Sequence, residues 1–345
     1  MKKLLPVFGM VLLIVAVILT AGCVGTPGGE TGTPTATVTP TETPNATATP
    51  TATPTTGAAP DQLKIATTTS LYDTGLLDAV QDYYLDTYNV DLLITSQGTG
   101  KAIESAKNGD VDVLLVHSPS QEAAFIADGY GINHRGIAYN YFLIVGPESD
   151  PAGIKGMTPE EGVTTLKNLG ESGKTDIIFV SRGDNSGTHS AEKNIWKAAE
   201  FNYTANISGN PGNWYIETGS GMGDTLTVSG QKQAYTLTDE ATFLTYKKNN
   251  NLALVPIIDE GKSLLNRYTV MTINPEKYPN TNVKAATDFT NWLISEDGQK
   301  FIGDYGKETY GKSLFVPMSS LADSTVAPFN IDSTTPVTVP TVATA

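Results

Sequence analysis

From residue 61 the chain alternates short apolar runs with stretches whose apolar positions recur at helical spacing. Leu63-Lys-Ile-Ala66 reads as a strand that breaks at Thr67-Thr-Thr-Ser70. Leu76, Val80, Tyr84 and Tyr88 then share one stripe, as on an amphipathic helix. Val90 to Thr95 is a second strand, Gly98-Thr-Gly100 a turn and Lys101 to Lys107 a short helix. Val111 to Val116 is almost continuously aliphatic, as in a strand covered on both faces of a parallel sheet. The order βαβαβ predicts an α/β lobe with its loops at the C-terminal ends of the strands.

A second series starts after Tyr139. Phe142-Leu-Ile-Val145 is a strand stopped by Gly146-Pro147, and Asp176 to Val180 is another. A polar turn, Ser181 to Thr188, leads into a helix from about His189 to Phe201. Ala253 to Ile257 and Tyr268 to Ile273 are later strands, and Ala285 to Ile294 is a C-terminal helix. The expected fold is therefore α/β, with two lobes and a ligand cleft between them. Lobe 1 is expected over 61–140 plus 272–322 and lobe 2 over 141–271, joined by two hinge segments near Asn140 and near Thr269 to Ile273.

The ends of the chain have a different character. Lys2 and Lys3 precede an apolar run, Leu4 to Ala21, and Thr20-Ala-Gly-Cys23 follows like a lipobox, with Thr20 where leucine is usual. Residues 1–23 are expected to be a signal peptide with lipidation at Cys23, against the alternative of an uncleaved anchor. Both readings tether the protein to the outer face of the cell membrane. Residues 24–60 are rich in Thr and Pro and bury too little apolar surface to offset their ordering entropy, so they are expected to be a disordered stalk. Residues 323–345 form a second low-complexity stretch, expected to be peripheral. Asn45, Asn202 and Asn206 open glycosylation sequons.

A net charge of −14 argues against nucleic acid as a partner, because phosphate backbones need a basic surface. A small anion remains compatible, since local amide dipoles and one arginine can hold it. Cys23 is the only cysteine, so no intrachain disulfide is available.

The strongest chemical signal is Ser181-Arg-Gly-Asp-Asn-Ser-Gly-Thr188. A strand feeds a Gly-containing turn that opens a helix, whose first N–H groups lack intrahelical partners and carry partial positive charge. Ser186 and Thr188 add hydroxyls and Arg182 a planar charged fork. A simple helix cap with a surface salt bridge would explain the local pattern equally well. Thr67 to Ser70 supplies a second hydroxyl cluster at the end of another strand, and two such clusters on two lobes fit facing halves of one site.

This pairing of T-T-T-S with S-R-G-D-N-S-G-T-H resembles the tungstate-specific binding proteins of ABC transporters, within the type II periplasmic-binding-protein fold. The likeness runs through residues 61–320 and includes Gly98-Thr-Gly100, Val116-His-Ser-Pro119, Tyr139-Asn140, Gly221-Met-Gly223, Tyr235-Thr-Leu-Thr-Asp239 and Leu264-Leu-Asn266. Tyr141 and Arg267 stand where that family usually has Asp and Pro, a departure that bears on lobe closure. The resemblance implies an extracytoplasmic lipoprotein that captures tungstate, or molybdate, and delivers it to an ABC permease. It implies a monomeric binder rather than an enzyme, with no cofactor and no metal cation. Thr68, Thr69, Ser70, Thr99, Arg182, Ser186, Gly187 and Thr188 are the expected oxyanion ligands.

Phosphate-binding proteins share Arg-x-x-x-Ser-Gly-Thr but commonly place an Asp against the proton that phosphate retains. Here His117-Ser118-Pro119 occupies that region, which favours a fully ionised ligand, with Asp184 expected to orient Arg182 or the turn. A phosphate- or sulfate-binding protein of the same fold is the alternative, and a secreted hydrolase using Ser186 and His189 a more distant one. Gly98-Thr-Gly-Lys-Ala102 lacks the first Gly and the Ser/Thr of a P-loop, and no G-x-S-x-G, H-E-x-x-H or C-x-x-C occurs.

Overall fold

The computed structural model describes residues 59–209, 212–250 and 252–340. The leader with Cys23, the stalk up to residue 58 with its Asn45 sequon, and residues 341–345 lie outside the described residues. In chain order the strands are β1 (Asp61–Thr68), β2 (Val90–Gln97), β3 (Val113–Val116), β4 (Gly131–Pro147), β5 (Phe179–Ser181), β6 (Tyr215–Glu217), β7 (Thr236–Asp239), β8 (Leu254–Ile258), β9 (Leu265–Ile273) and β10 (Val316–Pro317). The helices are α1 (Thr69–Tyr72), α2 (Leu76–Tyr88), α3 (Thr99–Lys107), α4 (Pro119–Ala127), α5 (Pro159–Glu171), α6 (Gly187–Ala198), α7 (Met222–Lys232), α8 (Glu240–Asn250), α9 (Val283–Ile294), α10 (Glu296–Asp304) and α11 (Lys307–Tyr310). Among the described residues no helix is long and apolar enough to cross a membrane.

The first sheet runs β10-β4-β9-β3-β1-β2. β1 pairs in parallel with β2 and β3, as βαβαβ order requires, and β9 joins β3 antiparallel. The inner strand β3 is covered on both faces, which is why Val113–Val116 is apolar throughout. Leu63 and Ile65 pack under α2 and α9, while Ala66 meets Ala102, Ile103 and Ala106 of α3. Tyr84, Phe289 and Trp292 form an aromatic wedge between α2 and α9.

β4 is far longer than the apolar run 142–145 suggests. Its first half carries half-buried His134 and Arg135 and pairs with β9, and its second half enters another sheet between β7 and β8. In that half the strand period of two sends Phe142 and Ile144 to one core and Leu143 and Val145 to the other. β5 pairs with β6 and touches β7 through a parallel bridge between Phe179 and Tyr235.

β4 and β9 cross from sheet to sheet side by side, with Asn140 opposite Asn266 and Tyr141 opposite Leu265. The second crossing therefore lies at Leu265–Arg267 rather than near Thr269 to Ile273. Thr269 to Thr272 already pair with Val116 to Val113 inside the first sheet. The crossing is tied by side chains, since Asn266 Nδ2 donates to Asn140 Oδ1 and to the Tyr268 hydroxyl, both at 2.8 Å.

The low-complexity C-terminal stretch is fastened to this frame. The Gly136 N–H donates to the Asp332 carbonyl, Arg135 to the Thr335 carbonyl, and Asn291 exchanges two hydrogen bonds with the Val337 backbone. Ile331 and Val337 are buried, and Phe329 sits edge-on to Tyr139. Arg267 donates to the Phe329 carbonyl and reaches Glu122, so one of the two positions that depart from the resembled family serves this attachment.

Candidate functional site

The Ser181 to Thr188 turn is shaped by two left-handed residues, Gly183 and Asn185, which fold the chain back tightly before α6. The Ser186 Oγ accepts the His189 N–H at 3.2 Å and so caps the helix. Asp184 serves both roles expected of it. Its Oδ1 accepts the Ser186 N–H at 3.1 Å, and its Oδ2 accepts Arg182 Nη2 at 2.5 Å. Nη2 also donates to Thr69 Oγ1 at 2.9 Å, across from one lobe to the other.

Arg182 is only 2% exposed, yet its Nε and Nη1 have no partner among the described residues. The Thr99 and Thr188 hydroxyls are in the same condition. Core threonines such as Thr287 and Thr290 also carry unpaired hydroxyls, so an unpaired hydroxyl alone marks nothing. Thr99 and Thr188 differ in position, each lying in the first turn of a helix where the lobes meet. A buried guanidinium with free N–H groups is the costlier orphan, because charge makes desolvation expensive unless something answers it.

Four helix starts converge here. A Cβ on Gly98, the N-cap of α3, would lie 3.2 Å from Asp184 Oδ2, and one on Gly221, the N-cap of α7, 3.6 Å from Thr69 Oγ1. Neither cap residue has a side chain to satisfy the helix N–H groups. With α1 after Thr68 and α6 after Ser186, the result is a small cleft walled by amide donors and hydroxyls around one arginine.

The chain is similar to known proteins over most of its length. A PBP superfamily domain matches residues 45–297. An ABC-transporter anion-binding protein of Haloferax volcanii is 44% identical over 259 residues, covering 74% of this chain and 72% of that one. The tungstate-binding protein TupA of Peptoclostridium acidaminophilum is 39% identical, over 75% of this chain and 86% of its own. The solved tungstate ABC transporter protein of Geobacter sulfurreducens superposes with a TM-score of 0.62 at 39% identity, over 71% of this chain and 98% of that one. The chain belongs to the periplasmic-binding-protein superfamily, in the family of these tungstate-binding proteins. Its two-lobed α/β fold is the fold of that family.

Within this family fold the eight sequence-predicted residues do not stand alike. All eight lie where the two lobes meet, but Thr68 and Ser70 have their hydroxyl hydrogens committed. The hydrogen-bond chain that commits them starts at His117, which no local pattern marks. Asn266 uses its amide nitrogen on Asn140 and Tyr268, so its Oδ1, 2.8 Å from His117 Nδ1, must accept. Nδ1 therefore holds the hydrogen, and Nε2 accepts from Ser70 Oγ at 3.1 Å. Burial pushes the His117 pKa down to about 4, so the ring is neutral. Thr68, 3.3 Å from Ser70 Oγ, then donates to that oxygen while its own oxygen caps α1 through the Leu71 N–H.

His117 is stacked on Tyr268 at 5.1 Å and closes against Gly187, where a Cβ would come within 2.4 Å of Nε2. Its pairing with Asn266 joins positions 149 apart, a relation that no local pattern announces. Acidic groups stand behind the arginine. Asp239 is fully buried and held above the usual carboxylate range by desolvation, while the Thr242 N–H and hydroxyl pull it back. Half-buried Asp73 is raised to about 6, chiefly by desolvation and against the pull of Arg182.

Proposed function

We propose that this protein captures a fully ionised tetrahedral oxyanion, tungstate above others, between its lobes and offers the closed form to the permease of an ABC importer. The observation that carries this reading is Arg182, buried and pinned through Nη2 by Asp184 and Thr69, with Nε and Nη1 unpartnered. Thr99, Thr188, the remaining hydrogens of Thr69 and Ser186, and the backbone N–H groups at Gly187 and Thr188 complete the donor set. Charge-assisted bonds of about 1.5–3 kcal/mol each can offset the desolvation of a buried dianion. A ligand retaining a proton would need an acceptor. Both Asp184 oxygens already accept, and His117 Nε2 is occupied by Ser70, which supports tungstate or molybdate over phosphate.

The hydrolase alternative is disfavoured by the same geometry. His189 Nδ1 accepts the Asn185 N–H and Nε2 meets Tyr203, so the ring is turned away from Ser186 as a base. We propose binding without turnover, by a monomer held outside the cell by a lipid on Cys23. Mass spectrometry of the membrane fraction should find a lipid-modified Cys23 at the mature N-terminus, and a mature chain starting at Met1 would refute the anchor. For the ligand, calorimetry of the full chain with tungstate, molybdate, sulfate and phosphate should give nanomolar binding for tungstate, about −12 kcal/mol. Phosphate binding as tight as tungstate binding would overturn the reading.

A further inference from the structure

Beneath the anion turn lies a buried acid that the capture of a ligand does not by itself require. Glu192 of α6 is 3% exposed. Its Oε2 is 2.5 Å from Ser181 Oγ, and its Oε1 accepts Trp196 Nε1 and lies 2.6 Å from the Tyr215 hydroxyl. The Tyr215 hydroxyl is 2.7 Å from that of Tyr203, which is 2.5 Å from Glu217 Oε1 and 2.8 Å from His189 Nε2. Glu217 is exposed.

The hydrogens in this chain can be counted. Five bonds need one each, namely Ser181–Glu192, Tyr215–Glu192, Tyr215–Tyr203, Tyr203–Glu217 and His189–Tyr203. Ser181, Tyr215 and Tyr203 supply one apiece, and His189 supplies one from Nε2 because its Nδ1 accepts the Asn185 N–H. With both carboxyls ionised one hydrogen is missing, and the two tyrosine oxygens would face each other without one. A hydrogen on Glu192 Oε1 completes the set. It donates to Tyr215, Tyr215 to Tyr203 and Tyr203 to Glu217, a directed path from the buried acid to solvent. Glu192 is the buried carboxyl of the two, and full burial pushes it up to about 7 against the pull of Ser181, Tyr215 and Trp196.

We infer that Glu192 is a positioning residue of the oxyanion site that works in its protonated form, so that anion binding above neutral pH takes up a proton. The network grips both ends of the turn. Ser181, held by Glu192, receives the Gly183 N–H on one side of Arg182, and Tyr203 holds His189, whose ring receives Asn185 on the other. Loss of the Glu192 proton sets the Tyr203 and Tyr215 oxygens against each other and loosens that grip. It also places a new negative charge under the seat of a dianion. Charged neighbours on the packed elements are Glu217 on β6, Lys193 on α6, and Arg182 and Asp184 in the turn. Lys193 is bonded to Asn185, and Arg182 to Asp184.

The sign follows from linkage. A dianion raises the Glu192 pKa further, so affinity is level below about 7 and falls as pH rises above it, by about tenfold in all. The inference rests on the proposed oxyanion reading, and the experiment separates the two. The full chain is titrated with tungstate by calorimetry at about pH 8 in Tris and in HEPES, whose ionisation heats differ, so the difference in heat counts protons. Wild type should take up about 0.4 of a proton per tungstate, the amount that a tenfold effect from a group titrating near 7 allows at that pH. Glu192→Gln, which keeps a donor toward Tyr215, should bind at least as tightly as wild type with no uptake and a flat pH profile. Tyr203→Phe, which removes the surplus bond, should lower the uptake without removing binding. Asp73→Asn, at another raised carboxyl, should retain it. Binding with no proton uptake in wild type, or with undiminished uptake in Glu192→Gln, overturns the inference alone. No binding heat with tungstate at any pH overturns the proposed ligand as well.

Discussion

His117 and Gly187 meet across the lobes so closely that a single carbon added to Gly187 would lie 2.4 Å from the imidazole Nε2. The ring cannot yield, because Asn266, Ser70 and the face of Tyr268 hold it. Gly187→Ala should therefore leave each lobe folded and keep them from closing fully. Tungstate affinity should drop by about tenfold or more, a cost of about 1.4 kcal/mol. The thermal midpoint without tungstate should hardly change. Wild-type affinity in this variant would contradict the closed geometry.

Arg182 should be the most sensitive single position. Removing one partner of a buried charge pair costs about 3–5 kcal/mol, so Arg182→Ala should weaken tungstate binding by some hundredfold or more. Arg182→Lys should restore only part, since a lysine cannot reach Asp184 and Thr69 while presenting two further N–H groups to the ligand. Titration at fixed salt decides, and affinity within threefold of wild type for the alanine variant would move the anion elsewhere.

The hydroxyls should separate into two classes. Thr99→Val and Thr188→Val each remove an unpaired donor and should cost about 1 kcal/mol of binding. Ser70→Ala should cost less binding and more stability, because its hydrogen serves His117. Parallel titrations and melts of the three variants test this division.

Acid should weaken the fold through His117. Its folded pKa, about 4, lies below the unfolded value of 6.5, so its contribution is complete above 6.5 and is lost as pH falls toward 4. His189 shifts the same way and adds to the effect. Between about pH 7 and 5, His117→Gln should lose fewer degrees of thermal midpoint than wild type. An equal loss would mean that the ring titrates freely.

What the sequence disclosed was what lies contiguous in it. Strand end, turn and helix start are contiguous in Ser181 to Thr188, so this turn with its arginine is legible, as are β1, α2 and β2 from their periods. Helix α5 opens with a capping box, Thr158 with Glu161, but its apolar stripe is too thin for the periodicity alone to predict a helix there. The first half of β4 stayed hidden because His134 and Arg135 interrupt the apolar pattern. Nothing near Thr68 and Ser70 in the sequence shows that a histidine 47 residues beyond Ser70 takes its hydrogen.

The fastening of residues 324–337 has a consequence for biogenesis. Arg135 finds its carbonyl partner at Thr335, 200 residues further along, and Gly136 finds its own at Asp332. Synthesis runs from the N-terminus, so the strand that links the lobes is made early and keeps a bare edge until almost the whole described body has emerged. Unpaired strand edges invite wrong partners, and the danger is greatest while a chain is incomplete. A nascent or truncated chain ending before residue 324 should therefore be more aggregation-prone than the finished one, even with every anion-binding residue in place.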